Sequence, residues 1–221
     1  MKKYITVAGN IGVGKSTLVE MICQRIGFQP FFEPVTENPY LADFYTDMNA
    51  WSFHSQIFFL THRVRLQQLL MQSPGSVIQD RSIYEDAEIF ARNLYLQRKM
   101  DERDYQTYHA LYQTLTEFLV PPDLVIYLRA SVSTLVERIK NRDRFYEKEI
   151  PEDYLAQLNN LYESWIEHFT FCPVLMVPAD SLDFVKHPRH LDLIVSKVTE
   201  KLTGKDEVIF YPDEVNQFEA D

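Results

Sequence analysis

Residues Gly9-Asn10-Ile11-Gly12-Val13-Gly14-Lys15-Ser16-Thr17 follow the pattern G-x-x-x-x-G-K-[ST], the P-loop signature. The apolar run Tyr4–Ala8 precedes this stretch, and Leu18–Ile26, closed by Gly27, follows it. The motif therefore lies between a buried strand and a helix start, where a phosphate-cradling loop has to lie. Glycines let backbone N–H groups turn inward around a phosphate, and the helix N-terminus adds its partial positive charge. Lys15 has the reach for β- and γ-phosphates, and the Ser16 hydroxyl suits a Mg²⁺ ion. The glycines are not spaced G-x-G-x-x-G, so a dinucleotide fingerprint fits poorly.

At 221 residues, of which 46% are hydrophobic, the chain suits one domain around one core. We expect that domain over residues 1–204, with an acidic tail of no assigned structure from Lys205 to Asp221. Lys and Arg total 22 against 32 Asp and Glu, a formal charge of −10. Such a chain repels polyanions, which argues against a nucleic-acid groove and requires any phosphate site to be built from a few placed cations. Cys23 and Cys172 make no disulfide framework, and a reducing cytoplasm is the expected setting. The first strand begins too early for a signal peptide, and no apolar run has membrane-spanning length.

Strand-like and helix-like stretches alternate along the chain. Gln29–Glu33 reads as a second strand ending in a carboxylate, stopped by Pro34. Residues 50–72 show a helical pattern with Phe53, Ile57, Leu60, Val64 and Leu66 along one side, ended by Ser73-Pro74-Gly75. Ser76–Asp80 is a third strand, again closing on a carboxylate. A helix over 83–97 turns Ile89, Phe90 and Leu94 inward, and Asp101 caps the next one, running to about Leu119. Leu124–Leu128 is a fourth strand, followed by a helix capped by Ser131 or Ser133. The charged turn Arg142-Asp143-Arg144 comes next, then a long helix from Pro151 to about Phe171. Pro173–Val177 is a fifth strand, and a last helix ends near Leu202. This alternation predicts an α/β fold, a five-stranded parallel sheet flanked by helices. Ligands of such sheets sit beyond the strand C-termini. The P-loop, Glu33, Asp80 and the turn after Leu128 should therefore share one mouth.

Phosphoryl transfer to an alcohol needs the hydroxyl held in line, a group to take its proton, and positive charge around the γ-phosphate. Glu33 is a candidate to orient or deprotonate the hydroxyl. Asp80 could hold a Mg²⁺-bound water or act as base, with Arg81 neutralising phosphate. Arg138 and Arg142 are four apart and share a helix face, so with Arg144 they could form a short Arg-rich lid over ATP phosphates.

These residues carry a family resemblance. Gly9–Thr17, Glu33-Pro34-Val35, Asn38-Pro39-Tyr40-Leu41, Phe44-Tyr45, Trp51–Gln56, Gln79–Asp86 and Tyr162–Ile166 occur in the order seen in the deoxynucleoside kinases. The chain most resembles the bacterial deoxyadenosine/deoxycytidine branch, from Tyr4 to about Leu202. The resemblance implies a P-loop kinase fold and transfer of the ATP γ-phosphate to a nucleoside 5′-hydroxyl. On that reading Glu33 binds the 5′-hydroxyl and serves as base, while Asp80 is the Mg²⁺-linked carboxylate and a second possible proton acceptor. Arg81 contacts the 5′ oxygen. Tyr45 and Glu147 match the pair on the sugar 3′-hydroxyl, Gln56 the amide that reads the base edge, and Phe90 the ring that stacks on the base. Gly9, Asn10, Ile11, Gly12, Val13, Gly14, Lys15, Ser16 and Thr17 cradle ATP. Arg138, Arg142 and Arg144 match lid arginines, and Asp183-Phe184 resembles the loop that holds the adenine of ATP.

Family members that prefer purines or cytosine carry an Arg–Asp pair at the positions of Arg63 and Asp86. A charged pair there fills the space a thymine methyl needs and offers polar partners to an exocyclic amino group. An unmet buried polar group costs roughly 1–3 kcal/mol, so thymidine should be a poor substrate. Adenine and cytosine suit one orientation of Gln56 and guanine its flipped form. Deoxyadenosine is the favoured substrate, with deoxycytidine and deoxyguanosine open. Two departures stand out: Asn38 replaces a Trp of the eukaryotic members, and Asp143 replaces a lid glycine of several relatives. The family's habit also implies a homodimer, through the stretches around 50–72 and 83–97. A nucleoside-monophosphate kinase would want extra cations at the acceptor end, where this chain offers Glu33, Tyr45, Gln56 and Glu147. A regulatory nucleotide switch of the guanine type would want Asn-Lys-x-Asp, of which Asn141-Arg142-Asp143-Arg144 is a weak echo.

Overall fold

β1 (Tyr4–Gly9) is buried along its whole length, as a strand flanked on both sides must be. Around it the sheet runs in the order β2-β3-β1-β4-β5, with β2 at Gln29–Phe31, β3 at Val77–Asp80, β4 at Leu124–Arg129 and β5 at Val174–Pro178. Every pairing is parallel. The computed structural model describes residues 2–32, 38–141, 150–205 and 208–216. Pro30 lies in β2, an edge strand, where the missing N–H does least harm to the ladder. The register sets Val7 beside Asp80 and Gly9 beside Leu128. The rims of β1, β3 and β4 thus lie next to one another, as the alternation predicts.

Helix α1 (Lys15–Ile26) starts inside the glycine-rich motif rather than after it. Gly14 carries a φ of +105° and Gly27 closes the helix in the left-handed region, conformations that glycine adopts without steric cost. One core lies between the sheet and α1, α7 (Val132–Asn141) and α9 (Pro188–Leu202). The opposite face of the sheet packs on α8 (Glu152–His168) through Leu158 and Tyr162. The short α2 (Leu41–Thr46), with α6 (Glu102–Thr116), flanks the long α3 (Met48–Gln72). Ser131 rather than Ser133 caps α7, accepting from the Thr134 N–H at 3.4 Å.

The structure corrects three expectations. In α3 the buried stripe is Ser52, Ser55, Gln56, Leu60, Arg63, Gln67 and Leu70. Of the expected apolar face only Leu60 is fully inside, and Phe53, Ile57 and Val64 are half-buried. The apolar period reported a flank because the inward face of α3 is polar: Ser55 meets Asn38, Ser52 donates to Lys99 O and Gln67 to Val120 O. The helix expected over 83–97 is also not uniform. A one-turn α4 (Ile83–Glu85) passes into a π-helical stretch, Asp86–Ala91, before α5 (Arg92–Leu96). Such insertions cluster at functional sites, and this one begins at Asp86 and carries Phe90. Finally, the tail is not featureless. Val208 and Phe210 pack on the main core, and α10 (Pro212–Asn216) buries Val215 against it. Glu214 meets Lys197 at 2.8 Å. Pro212 followed by Asp213-Glu214 is a helix-start signal that the surrounding acidic residues masked.

Among the described residues no helix is long and apolar enough to cross a membrane.

Candidate active site

The P-loop is pinned from three sides. A Cβ on Gly9 would lie 2.8 Å from Leu128 O, and one on Gly12 would lie 2.6 Å from Ile139 Cγ1. No larger residue fits either position without shifting β4 or α7. Lys15 is 7% exposed and its ammonium donates to Gly9 O at 2.8 Å and Asn10 O at 3.0 Å. Asn10 Nδ2 donates to Leu155 O at 2.9 Å and Asn159 Oδ1 at 2.7 Å, which ties the loop to α8. Arg138 reaches the loop from α7, donating to Val13 O and Ala179 O, each at 2.7 Å. Its guanidinium thereby joins the P-loop to the end of β5. Phe184 lies against Gly14 and beside the loop, while Asp183 accepts from the Val185 and Lys186 N–H groups.

The end of β3 meets the start of α1. Ser16 Oγ donates to Asp80 Oδ2 at 2.5 Å. Asp80 Oδ1 is buried and, among the described residues, has no hydrogen-bond partner. A carboxylate oxygen left open beside a serine hydroxyl fits a hard divalent cation, which binds through few protein oxygens plus those of a phosphate. No cluster of three acidic, His or Cys ligands occurs among the described residues.

Arg81, the next residue, has a φ of +65°. A non-glycine residue in the left-handed region is strained by order 1–3 kcal/mol and persists only where its surroundings hold it. The Arg81 N–H donates to Val7 O at 3.0 Å, and its guanidinium lies 4.2 Å from the Phe90 ring centre. Arg63 holds the same turn from α3. Its Nη1 donates to both Asp80 O and Arg81 O at 3.0 Å, while Nε donates to Asp86 Oδ2 at 3.0 Å. Arg63 and Asp86 are 2% and 3% exposed. The expected ion pair is present, and Arg63 in addition fixes the backbone of the Asp80-Arg81 turn, which no sequence pattern announced.

On the acceptor side, Gln56 is buried with its Oε1 unpartnered among the described residues. Asn38 Nδ2 donates to Ser55 Oγ at 3.1 Å, beside Gln56 on α3. Tyr45 is half-buried and meets Phe44 edge-on. Phe90 is half-buried, with one face covered by Arg81. Glu33, Arg142, Arg144 and Glu147 lie outside the described residues.

Two residues escaped the sequence reading. Glu85 is fully buried: its Oε1 accepts from Gly9 N–H at 3.2 Å and its Oε2 from Ser82 N–H at 2.8 Å. Tyr162 Oη stands between them, 2.8 Å from Glu85 Oε1 and 2.9 Å from Gly9 O. A signal for Glu85 existed, since Ser82-Ile83-Tyr84-Glu85 is a capping box and both of its bonds form. Tyr162 reads as one more aromatic of a long helix.

A parallel sheet whose P-loop serine bonds a carboxylate at the neighbouring strand end, with a strained arginine beside it, has the P-loop kinase fold. The deoxynucleoside kinase family matches residues 5–203. The chain is 39% identical over 196 residues to the deoxyadenosine/deoxycytidine kinase of Bacillus subtilis (strain 168), covering 88% of this chain and 90% of that protein. It is 35% identical to the same organism's deoxyguanosine kinase, covering 89% and 96%. The structure of deoxyadenosine kinase from M. mycoides with bound dATP superposes with a TM-score of 0.80 at 34% identity, covering 89% of this chain and 99% of that one. The chain belongs to the deoxynucleoside kinase family. It is an enzyme that phosphorylates deoxynucleosides in nucleotide salvage, with ATP as phosphate donor.

Proposed function

We propose that this kinase is Mg²⁺-dependent and prefers deoxyadenosine, with deoxycytidine and deoxyguanosine as lesser substrates. The observation that carries the metal is the open Asp80 Oδ1 beside the Ser16–Asp80 bond. Ser16 and Asp80 would hold the ion on the β- and γ-phosphates, where it would offset developing charge. Lys15 exchanges its two loop carbonyls for phosphate oxygens. Arg81 meets the transferring group and the 5′ oxygen. Arg138, which bonds Val13 O and Ala179 O, forms the lid with Arg142 and Arg144, and the Asp183-Phe184 loop holds the ATP adenine.

Glu33 takes the proton of the 5′-hydroxyl, with Asp80 the second acceptor. Tyr45 and Glu147 bind the 3′-hydroxyl, Phe90 stacks on the base, and Gln56 reads the base edge through its Oε1, which has no partner among the described residues. An amide oxygen without a partner accepts the exocyclic amino group of adenine or cytosine. Thymine offers a carbonyl there, and its methyl meets Arg63 and Asp86. A homodimer through the outer faces of α3 and the 83–96 helical stretch fits the half-buried Phe53 and Ile57. A cytoplasmic location fits the buried free thiol of Cys23.

Initial rates with the four deoxynucleosides, ATP and Mg²⁺ test the base preference. Deoxyadenosine should give the highest kcat/KM and thymidine the lowest; thymidine at or above deoxyadenosine would contradict the pocket described. Deoxyadenosine monophosphate should be no acceptor at all. Glu33→Gln should retain nucleoside binding and lower turnover on the order of 10²-fold, the scale of a lost acid–base group. Turnover within a few-fold of the native enzyme removes Glu33 from that role.

A further inference from the structure

We propose that Glu85 is a positioning residue that works as an uncharged acid, holding the P-loop through Tyr162 while leaving the charges of Lys15 and Arg81 to the phosphates. Tyr162 Oη has one hydrogen, yet two acceptor oxygens lie within bonding distance, Gly9 O at 2.9 Å and Glu85 Oε1 at 2.8 Å. If Glu85 were ionised, one of those contacts would set two lone pairs against each other in a buried site. With the proton on Glu85 Oε1 the chain closes, the same oxygen also accepting from Gly9 N–H at 3.2 Å. Glu85 donates to Tyr162, and Tyr162 donates to Gly9 O. Glu85 Oε2 still accepts from Ser82 N–H and Oγ, at 2.8 and 3.3 Å.

The cations nearby, with the hydrogen bonds from Ser82 N–H and Tyr162, favour the charged form, and burial is the larger effect. Lys15 from α1 and Arg81 from the turn after β3 face Glu85, as do the phenols of Tyr162 on α8 and Tyr127 on β4. Burial pushes the Glu85 carboxyl above the usual carboxylate range, against the opposing pull of those two cations. Burial also holds the Tyr162 phenol well above its ordinary value, so its one hydrogen stays in place. An ionised Glu85 would spend its charge on Lys15 and Arg81, the groups the reaction needs facing phosphate.

The chain has a second consequence. In this structure Gly9 O accepts from both Lys15 and Tyr162. Once Lys15 turns to phosphate, Tyr162 is the donor that remains on that carbonyl. Glu85 and Tyr162 therefore keep the first turn of the loop in place across the catalytic cycle. This inference rests on the reading of Lys15 and Arg81 as phosphate-facing cations.

Infrared difference spectroscopy of the native protein against Glu85→Gln tests the proton directly and needs no nucleotide. The native spectrum should carry a protonated-carboxyl C=O stretch that the variant lacks. Loss of ionised-carboxylate bands alone would overturn the proposal. Kinetics test the positioning. Glu85→Ala should lower kcat/KM for ATP on the order of thirtyfold, and Glu85→Gln should restore it to within about threefold of native, since the amide still donates to Tyr162. Equal losses in the two variants would mean that the charge, not the shape, is required. Tyr162→Phe should raise the KM for ATP about fivefold with little change in that for deoxyadenosine; a matching rise in both would overturn the link to the P-loop. ATP bound equally well by Lys15→Met would instead undo the phosphate reading, separately from the infrared result.

Discussion

Asp80→Asn should lower turnover on the order of 10³-fold while leaving the fold and deoxynucleoside binding intact, because in the role proposed for Asp80 the transferring phosphoryl group would lose several kcal/mol of charge stabilisation, and each 1.36 kcal/mol is tenfold in rate. The Asn side chain keeps the shape and an oxygen able to accept from Ser16 Oγ, which now donates at 2.5 Å. What disappears is the charge on an oxygen that has no other partner among the described residues. The effect should fall on kcat and on the Mg²⁺ concentration needed for half-maximal rate. Steady-state rates across a Mg²⁺ titration, with thermal denaturation as the control for folding, read both. Turnover within tenfold of native at saturating Mg²⁺ would remove Asp80 from the metal site.

Arg63→Met should destabilise the protein by about 3–5 kcal/mol, the cost of breaking a buried ion pair from one side. The pair is 2% and 3% exposed and Arg63 Nε sits 3.0 Å from Asp86. Urea unfolding measures the loss, and a change below 1 kcal/mol would contradict it. Replacing Arg63 and Asp86 together with neutral residues should cost less than the single change, since neither half of the ion pair remains. That double variant should raise the thymidine-to-deoxyadenosine ratio of kcat/KM by about tenfold or more, the scale of discrimination by one buried polar contact. Turnover with every deoxynucleoside should nonetheless fall. Arg63 Nη1 also carries Asp80 O and Arg81 O, and without it the strained Arg81 turn loses two of its restraints. A ratio that stays flat would show that the pair does not set base choice.

The placement of Lys15, Ser16 and Asp80 at adjoining strand ends was legible because a phosphate loop must sit after a buried strand, and Asp80 closes the neighbouring strand, where it meets Ser16. The burial of β1 and of Leu124–Leu128 in β4 was legible for the same kind of reason, since strands covered on both faces read as near-continuous apolar runs, whereas β3 buries Gln79 and Asp80 as well. Arg63 was legible only as half of a pair. Its second task depends on a backbone conformation, the positive φ of Arg81, that sequence does not encode locally. The polar inner face of α3 was misread because periodicity takes buried Ser, Gln and Arg for solvent-facing residues. The π-helical stretch at Asp86–Ala91 escaped because one extra residue per turn leaves no mark in composition.

By itself the sequence determined the parallel α/β sheet, the phosphate loop and the residue types gathered at its mouth, because the apolar period and the glycine spacing are local physical constraints. Only the tertiary structure decided which polar groups meet. It alone shows that Ser16 binds Asp80, that Arg63 grips the Asp80-Arg81 carbonyls, and that Tyr162 Oη lies within hydrogen-bond distance of both Gly9 O and Glu85 Oε1. Those bonds join residues 9, 85 and 162 across three elements, and a buried polar contact of that kind depends on distances of tenths of an ångström that packing sets.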